Sequence, residues 1–528
     1  MLRIDQLRLL PGEPEAALLS KCARLLRVEP SVLTDLTVLR RAIDAREGLT
    51  FVYTVAVSAP QEAALLRRCR DKRVTAYAPE RYALPAPVAA PEVRPIVVGA
   101  GPAGLFAALV LARCGARPIL LERGRCVEQR QRDVQRFWAT GELDTESNVQ
   151  FGEGGAGAFS DGKLNTGTRD VRHRFIMEQL VSCGAPESIL TDALPHVGTD
   201  KLHIALQNLR RRLLEAGADI RFGARLEGLT VQDGAVTAVT VREGETLYTL
   251  LARQVVLALG HSARDTFEML YGAGLAMEQK PFAVGVRIEH RQTAVDAARY
   301  RRLAGHPSLP PATYKLSCHL PNGRSAFSFC VCPGGQVVAA ASETRRVVTN
   351  GMSEYARDRE NINGALLVNV TPGDFPDSHP LSGMRMQRQL EDAAFALGGG
   401  DYRAPCQRVE DFLAGRPSAG PGNVAPSYLP GVAYTDLHRC LPPFISETLA
   451  LALPELGRRL KGYDDSDALL TGVETRSSSP VRLVRDEHYE ANIRGVYPCG
   501  EGAGYAGGIL SAAADGMRCA EKLLEVYR

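Results

Sequence analysis

Apolar positions along residues 1–84 change period in the order strand, helix, strand, strand, helix. Residues 2–10 alternate, 14–26 carry apolar positions at helical spacing, 38–45 and 49–57 alternate again, and Pro60 opens a second helical stretch through Arg70. A β-α-β-β-α order predicts a small ferredoxin-like α+β module. The following Leu84-Pro85-Ala86-Pro87-Val88-Ala89-Ala90-Pro91 cannot hold a regular element, which predicts a linker over 85–94.

A compact β-α-β pattern comes next. A short apolar strand ends at Val98, residues 102–114 read as a helix stopped by Gly115, and 117–121 read as the second strand. Further on, Thr199 is placed to cap a helix whose apolar face is Leu202, Ala205, Leu206, Leu209 and Leu213, with Gly217 ending it. Residues 219–222 form a strand, Asp233-Gly234 signals a hairpin, and 253–259 form a buried strand closing on Gly260. From about 276 to 474 the pattern becomes mixed short strands, helices and Pro-rich loops. A final strand (493–498), a glycine-dense turn and a helix (509–527) are spaced to return to the first β-α-β.

The turn after the first of these strands has chemistry in it. Gly99-Ala100-Gly101-Pro102-Ala103-Gly104 has the form G-x-G-x-x-G between a strand and a helix. Gly99 permits the tight turn, Gly101 lets backbone approach a pyrophosphate, and Gly104 lets the helix pack close to the sheet. The helix N-terminus adds free N–H groups and positive dipole. Glu122, ending the second strand, stands where a ribose hydroxyl is held.

With Leu120-Leu121-Glu122-Arg123-Gly124, this unit resembles FAD-binding flavoproteins of the glutathione-reductase-like superfamily. Two further segments strengthen the resemblance: the glycine-rich loop 148–165, and Cys499-Gly500-Glu501-Gly502-Ala503-Gly504 leading to Gly508-Ile509. By its letters Gly502 to Gly507 is a second G-x-G-x-x-G, but only about 20 residues follow, too few for a second β-α-β. The whole set is similar to a family of uncharacterised FAD-dependent dehydrogenases related to the HI0933-like and fumarate-reductase-like flavoproteins.

That resemblance implies FAD at Gly99, Gly101, Pro102, Ala103, Gly104, Glu122 and Arg123. It adds Gly154, Gly155, Lys163, Leu164 and Asn165 from the loop, Leu226 and Gly260 from the middle of the domain, and Gly500, Glu501, Gly504, Gly508 and Ile509 from the last turn. Glu501 departs from the usual Asp. Lys163 is a candidate for stabilising negative charge on reduced flavin. The implied fold is α/β: a Rossmann-type FAD-binding domain in two parts (95–275 and 475–528), an inserted α+β cap or substrate domain (276–474), and the N-terminal α+β module (1–84). The implied function is an FAD-dependent oxidoreductase passing a hydride between flavin and an unidentified small molecule; the alternative is a flavin-binding redox sensor acting through the N-terminal module.

Composition narrows the partners. A chain of 528 residues predicts roughly two to four domains. Net charge is +3, and short basic runs such as Arg210-Arg211-Arg212 lie in helical stretches as solvated faces, so no nucleic-acid partner is expected. No apolar run approaches the roughly 18 residues of a membrane span, and residues 1–5 lack a signal peptide's apolar core, which points to the cytoplasm. Twelve cysteines show no Cys-x-x-Cys and no zinc spacing, so no metal is expected. Cys330 and Cys332 alternate onto one strand face and read as buried free thiols rather than as a redox pair.

Catalytic candidates are few. Arg476 and Arg482 flank the return to the FAD domain, where two arginines clamp a carboxylate unless they serve structural salt bridges. His319 and Lys315 are candidate proton donors, and His261 is a candidate positioning residue. With no separate NAD(P) domain, the electrons would come from a transiently docked NAD(P)H or a protein carrier.

Overall fold

The computed structural model describes residues 1–527. At its N-terminus, Leu2–Leu9, Thr34–Asp44, Thr50–Ser58 and Val74–Ala76 form an antiparallel sheet in the order second, third, first, fourth. Helices Ala17–Leu26 and Glu62–Arg68 connect them. The fourth strand is too short for alternation to show it in the sequence. The Pro/Ala-rich stretch has no regular element, yet it is tied down. Val88 N–H donates to the Cys114 carbonyl (2.8 Å) and the Tyr82 hydroxyl to Glu521 (2.8 Å).

A five-stranded parallel sheet runs in the order Val496–Pro498, Val255–Leu257, Ile96–Val98, Ile119–Glu122, Asp219–Phe222. Apart from the half-buried edge strand Asp219–Phe222, its strands are short, largely apolar runs because both faces are covered. Val97, Leu120 and Val256 face a helical layer with Leu109, Leu206 and Leu523, while Val98, Leu121 and Leu257 face the antiparallel strands Ala224–Gln232, Ala235–Glu243 and Thr246–Leu251. Asp233 and Gly234 both take positive φ (49° and 72°), as the hairpin signal requires. Thr199 does not cap its helix: Gly198 is the N-cap, and the Thr199 hydroxyl donates instead to the Ser160 carbonyl (2.6 Å), pinning the glycine-rich loop.

Between Val255–Leu257 and Val496–Pro498 in sequence lies the largest sheet, of eight strands. Its path is Ser317–His319, Ser325–Ala339, Asn361–Val370, Phe282–Arg291, Leu469–Glu474, Ala404–Arg408, Val432–Tyr434, with Thr349–Met352 attached to Ser325–Ala339. The expectation of short strands fails here, since three strands have ten residues or more. One face, with Val284, Val286, Ile288, Leu366 and Val368, packs on helix Pro443–Arg459. The alternate positions carry buried polar groups, Arg287, Glu289 and Asn363, so period two is present but both of its phases are buried. No helix among the described residues is long and apolar enough to cross a membrane.

Candidate active site: a glycine-lined cleft

The turn after Ile96–Val98 is as tight as its glycines allow. Gly99 has φ +102°, and a Cβ there would lie 2.3 Å from the Ala258 carbonyl oxygen; one on Gly104 would lie 1.8 Å from the Gly99 oxygen. Helix Pro102–Arg113 can therefore start against the sheet only with hydrogen at both positions. Its N-terminus is crossed by the glycine-rich loop: Gly154 N–H donates to the Ala100 carbonyl (2.8 Å), and the Gly155 and Gly101 backbones pass close enough that a Cβ on Gly155 would sit 3.1 Å from the Gly101 Cα.

Glu122 organises this crossing. Its Oε2 accepts from Ala100 N–H (2.7 Å), and its Oε1 from Gly124 (2.8 Å) and Gly152 (2.9 Å). Buried yet lining the cleft, the carboxylate keeps lone-pair capacity on Oε2 for one further donor. Arg123 beside it spans Glu146 (2.9 Å) and Asp265 (2.8 Å), with its guanidinium over the Phe151 ring.

These features open onto a cleft of about 350 Å³. From the first turn, Gly99, Gly101, Pro102 and Ala103 line it; Glu122, Arg123, Leu226 and Gly260 follow along the strand ends. The loop contributes Gly155, Lys163 and Asn165, and the last turn Gly500, Glu501, Gly508 and Ile509. Four expected residues stand behind this lining. Gly104 is in the helix–sheet contact, Gly154 packs against Leu206, Leu164 is in the core, and Gly504 approaches Val481 and Arg482. The apparent second glycine motif is part of the same cleft: Gly507 lines it, and helix Ile509–Glu525 packs on the first helix, with Gly516 against Ala103.

Two orphaned groups mark where a ligand is needed. Lys163 Nζ and His261 Nε2 are buried with no hydrogen-bond partner, although both residues line the cleft. Lys163 Nζ is 3.4 Å from Asp161, but that carboxylate is already held by Arg357 Nε (2.9 Å), Arg357 Nη2 (2.6 Å) and the Ser353 hydroxyl. Burial pushes Asp161 up, and Lys163 and Arg357 outweigh it, holding the carboxyl below its ordinary value. His261 Nδ1 lies 3.5 Å from Glu501. Unsatisfied polar groups beside a glycine-lined cradle, one of them the Lys163 ammonium, fit a dinucleotide with anionic phosphates and polar ring atoms.

The wall opposite the glycines comes from the eight-stranded sheet: Phe329, Cys330, Asn350, Glu474, Arg476 and Ser477. Glu474 is fully enclosed; burial raises its carboxyl to about 7 against the pull of Arg287, whose Nη1 is 3.1 Å away, and the neighbouring Cys330 adds to the rise. Apart from Cys330, read with Cys332 as a buried free thiol, and the segment containing Arg476, the sequence pattern pointed to none of these groups, because none belongs to a local motif.

The catalytic candidates separate. Arg476 reaches the cleft, but its guanidinium is committed, with Nε and Nη2 donating to Glu391 (3.1 and 2.9 Å) and Nη1 to the Ser342 hydroxyl (2.5 Å). Arg264 grips the same carboxylate (2.7 and 2.8 Å). Arg482 is exposed, over the Tyr505 ring, and does not line the cleft. The two arginines form no clamp. Lys315 and His319 are exposed on the outer part of the eight-stranded sheet, away from the cleft, His319 Nδ1 sharing a hydrogen bond with the Ser325 hydroxyl (2.7 Å).

Family models match three parts of the chain: a domain of unknown function over residues 1–58, an FAD binding domain over 92–136, and an FAD-dependent protein C-terminal-domain-like model over 281–477. They do not narrow the relationship to the HI0933-like group. Among solved structures the chain is similar to the flavin-dependent brominase Bmp2 (12% identical, 82% of this chain and 79% of that one, TM-score 0.38). It is also similar to aklavinone-11 hydroxylase in complex with FAD and aklavinone (18%, 82% and 62%, TM-score 0.36), and to the E. coli quinol fumarate reductase (14%, 82% and 70%, TM-score 0.36). These likenesses are too remote to carry an argument about activity. An uncharacterized protein of Clostridium beijerinckii is 44% identical over 531 residues, covering 100% of this chain and 99% of its own length. The chain belongs to the family of that protein, a family of FAD-dependent flavoproteins.

Proposed function

We propose that this flavoprotein is an oxidoreductase that passes a hydride between FAD and a small anionic substrate bound against the eight-stranded sheet. In this scheme residues 95–275 and 475–528 hold the dinucleotide, 276–474 cap it, and 1–84 form a separate module. Gly99, Gly101, Gly155 and the helix start at Pro102 would receive the pyrophosphate, Glu122 a ribose hydroxyl, and the turn around Glu501 and Gly508 the flavin end. Bound flavin supplies the two-electron chemistry.

The observation that carries the proposal is Lys163 Nζ, a buried cation without a hydrogen-bond partner in the same cleft as the glycine cradle and Glu474. A cation so placed favours an anionic group on substrate or on reduced cofactor. Glu474, titrating near 7, is poised to take up or return the proton that accompanies hydride transfer.

The natively purified chain is expected to show a flavin spectrum. Anaerobic addition of NADH, NADPH or a reduced protein carrier should bleach it, and a screen of small carboxylates should restore it. Replacing Lys163 with Gln should raise KM for the reoxidising anion about tenfold with a smaller effect on kcat, and leave neutral acceptors unchanged. A chain without flavin, or a flavin that no donor reduces and no small molecule reoxidises, would overturn the proposal.

A further inference from the structure

Two thiols at the sheet side of the cleft are left unused by this scheme. In strand Ser325–Ala339 the ladder to Asn361–Val370 pairs Phe329 with Ala365, then Cys332 with Asn363, so one extra residue is inserted between them. The insertion puts Cys330 at φ +41°, a left-handed conformation uncommon for a residue with a side chain. A regular strand would send Phe329 and Cys330 to opposite faces. At this bulge both line the cleft, and Cys332 turns inward, fully buried. Cys332 Sγ nevertheless stays against Cys330, 3.3 Å from its carbonyl oxygen.

Arg287 locks the arrangement. Its Nη2 donates to the Cys330 carbonyl (3.0 Å) and to Cys332 Sγ (3.6 Å), and Cys332 Sγ–H donates to the Cys330 carbonyl (3.3 Å). Room for the guanidinium comes from Gly351, where a Cβ would meet Nη2 at 1.7 Å. The adjacent Cys332 thiol, with Lys163 and Arg287 nearby, holds the Cys330 thiol well below its ordinary value, while Cys332 is held protonated. Elsewhere burial dominates: Cys22 is pushed up to about 11, and Cys406 and Cys440, with Glu289 and Asp436 adding to the rise, to about 12. A second pair of neighbouring thiols, Cys499 and Cys519, touches the cleft through Cys499, but burial and the Asp515 carboxylate disfavour a thiolate at Cys519. Only the Cys330 pair combines partial exposure at the cleft with cations beside it.

We propose that Cys330 and Cys332 are a redox-active dithiol that exchanges two electrons with the bound flavin, Cys330 being the member that faces it; this rests on FAD occupying the cleft as proposed above. Starting from the Cys330 thiolate and the Cys332 thiol, formation of one S–S bond releases two electrons and one proton. The oxidised flavin takes up both and becomes its anionic reduced form, so atoms and charge balance with no further co-reactant. The reverse step returns the thiolate and the thiol. Lys163 and Arg287 stabilise the negative charge when it rests on Cys330.

The test is anaerobic dithionite titration of the air-equilibrated holoprotein, followed at the flavin band. Flavin plus disulfide should consume about four electrons per flavin, and flavin alone about two. C330S and C332S are each expected to fall to about two, while C519S stays at about four. Peptide mapping needs no variant, since the tryptic peptide spanning residues 325–345 carries both thiols and no other cysteine. In the air-equilibrated protein it should resist alkylation until reduced. Uptake of about two electrons by the wild-type holoprotein, with both thiols freely alkylated, would overturn the dithiol while leaving the FAD assignment intact. Absence of a flavin band would instead overturn the FAD assignment itself.

Discussion

The cleft has one wall made mostly of backbone and one made mostly of side chains. On the dinucleotide side, Gly99, Gly101, Gly155, Gly260 and Gly508 present amides and space, and Glu122 spends three hydrogen bonds holding amides in place. Across from it, Phe329, Cys330, Glu474 and Arg476 present an aromatic face, a thiol, a carboxyl and a guanidinium, backed by a buried network of arginines and glutamates. The first wall offers a fixed shape made of amides and space; the second supplies titratable groups. The two walls should therefore fail differently, one by gaining a methyl group and the other by losing a charge.

The largest effect is expected behind the second wall. Glu391 is fully buried between Arg264 and Arg476, and also accepts from the Thr475 hydroxyl (2.7 Å). Glu391→Ala leaves two buried guanidinium groups with only the Glu343 carboxylate beside them (2.6 Å from Arg264, 3.9 Å from Arg476), a loss of about 3 kcal/mol measurable by urea unfolding. Burial pushes Glu391 up, but Arg264 and Arg476 outweigh it and set the carboxyl well below its ordinary value. Its stabilisation is then complete above a pH of about 4.5 and is lost as pH falls through the folded value. The wild-type stability curve should accordingly drop in acid more steeply than that of the variant. A loss under about 0.5 kcal/mol would show that the network is screened and the contrast between the walls is false.

The first wall is tested by adding volume. Gly104→Val forces a side chain onto the Gly99 carbonyl, where even a Cβ would be 1.8 Å away. The helix must move off the sheet, costing about 3 kcal/mol, and flavin content after native purification should fall sharply. Retention of full flavin content would show that the turn is softer than its geometry implies.

The same division explains what the sequence revealed. The dinucleotide wall is written in local spacing: Gly99, Gly101 and Gly104 fall within six residues, and Glu122 ends the very next strand, so motif and chemistry coincide. The opposing wall joins positions far apart in the chain: the eight-stranded sheet brings Arg287 to Glu474, and helices Arg264–Gly272 and Ser382–Leu397 bring Arg264 to Glu391. Its strands bury polar side chains on one phase and apolar ones on the other, which removes the contrast that alternation depends on. Cys330 and Cys332 were visible as a pair, but the bulge that turns one toward the cleft and the other away has no signature beyond Pro333-Gly334-Gly335 just after them. Arg476 and Arg482 were close to the cleft in sequence, yet Glu391, some 85 residues earlier, claims the one that reaches it.

Glu474→Gln probes chemistry on the second wall. Loss of a proton carrier there is expected to slow turnover about a hundredfold and to erase the inflection near pH 7 in the rate profile. The stability slope has the opposite sign to that of Glu391. Burial raises the Glu474 carboxyl in the folded state, so its contribution is complete below the unfolded value of about 4.5 and is lost as pH rises through about 7. The Gln variant should flatten that slope. An unchanged inflection would assign the titration to another group on the same wall.

The smallest effect is expected where the sequence placed proton donors and the structure does not. Lys315 is exposed, and His319 is exposed with its ring tethered to Ser325, on the strand that ends the eight-stranded sheet. Neither is backed by a buried charge, and neither faces the cleft, so nothing in their surroundings would tune them for proton transfer. Lys315→Ala and His319→Ala should each change stability by less than about 0.5 kcal/mol and turnover by less than about twofold. A tenfold fall in kcat for either would mean that the outer strand closes over the cleft during turnover, making the second wall a moving one.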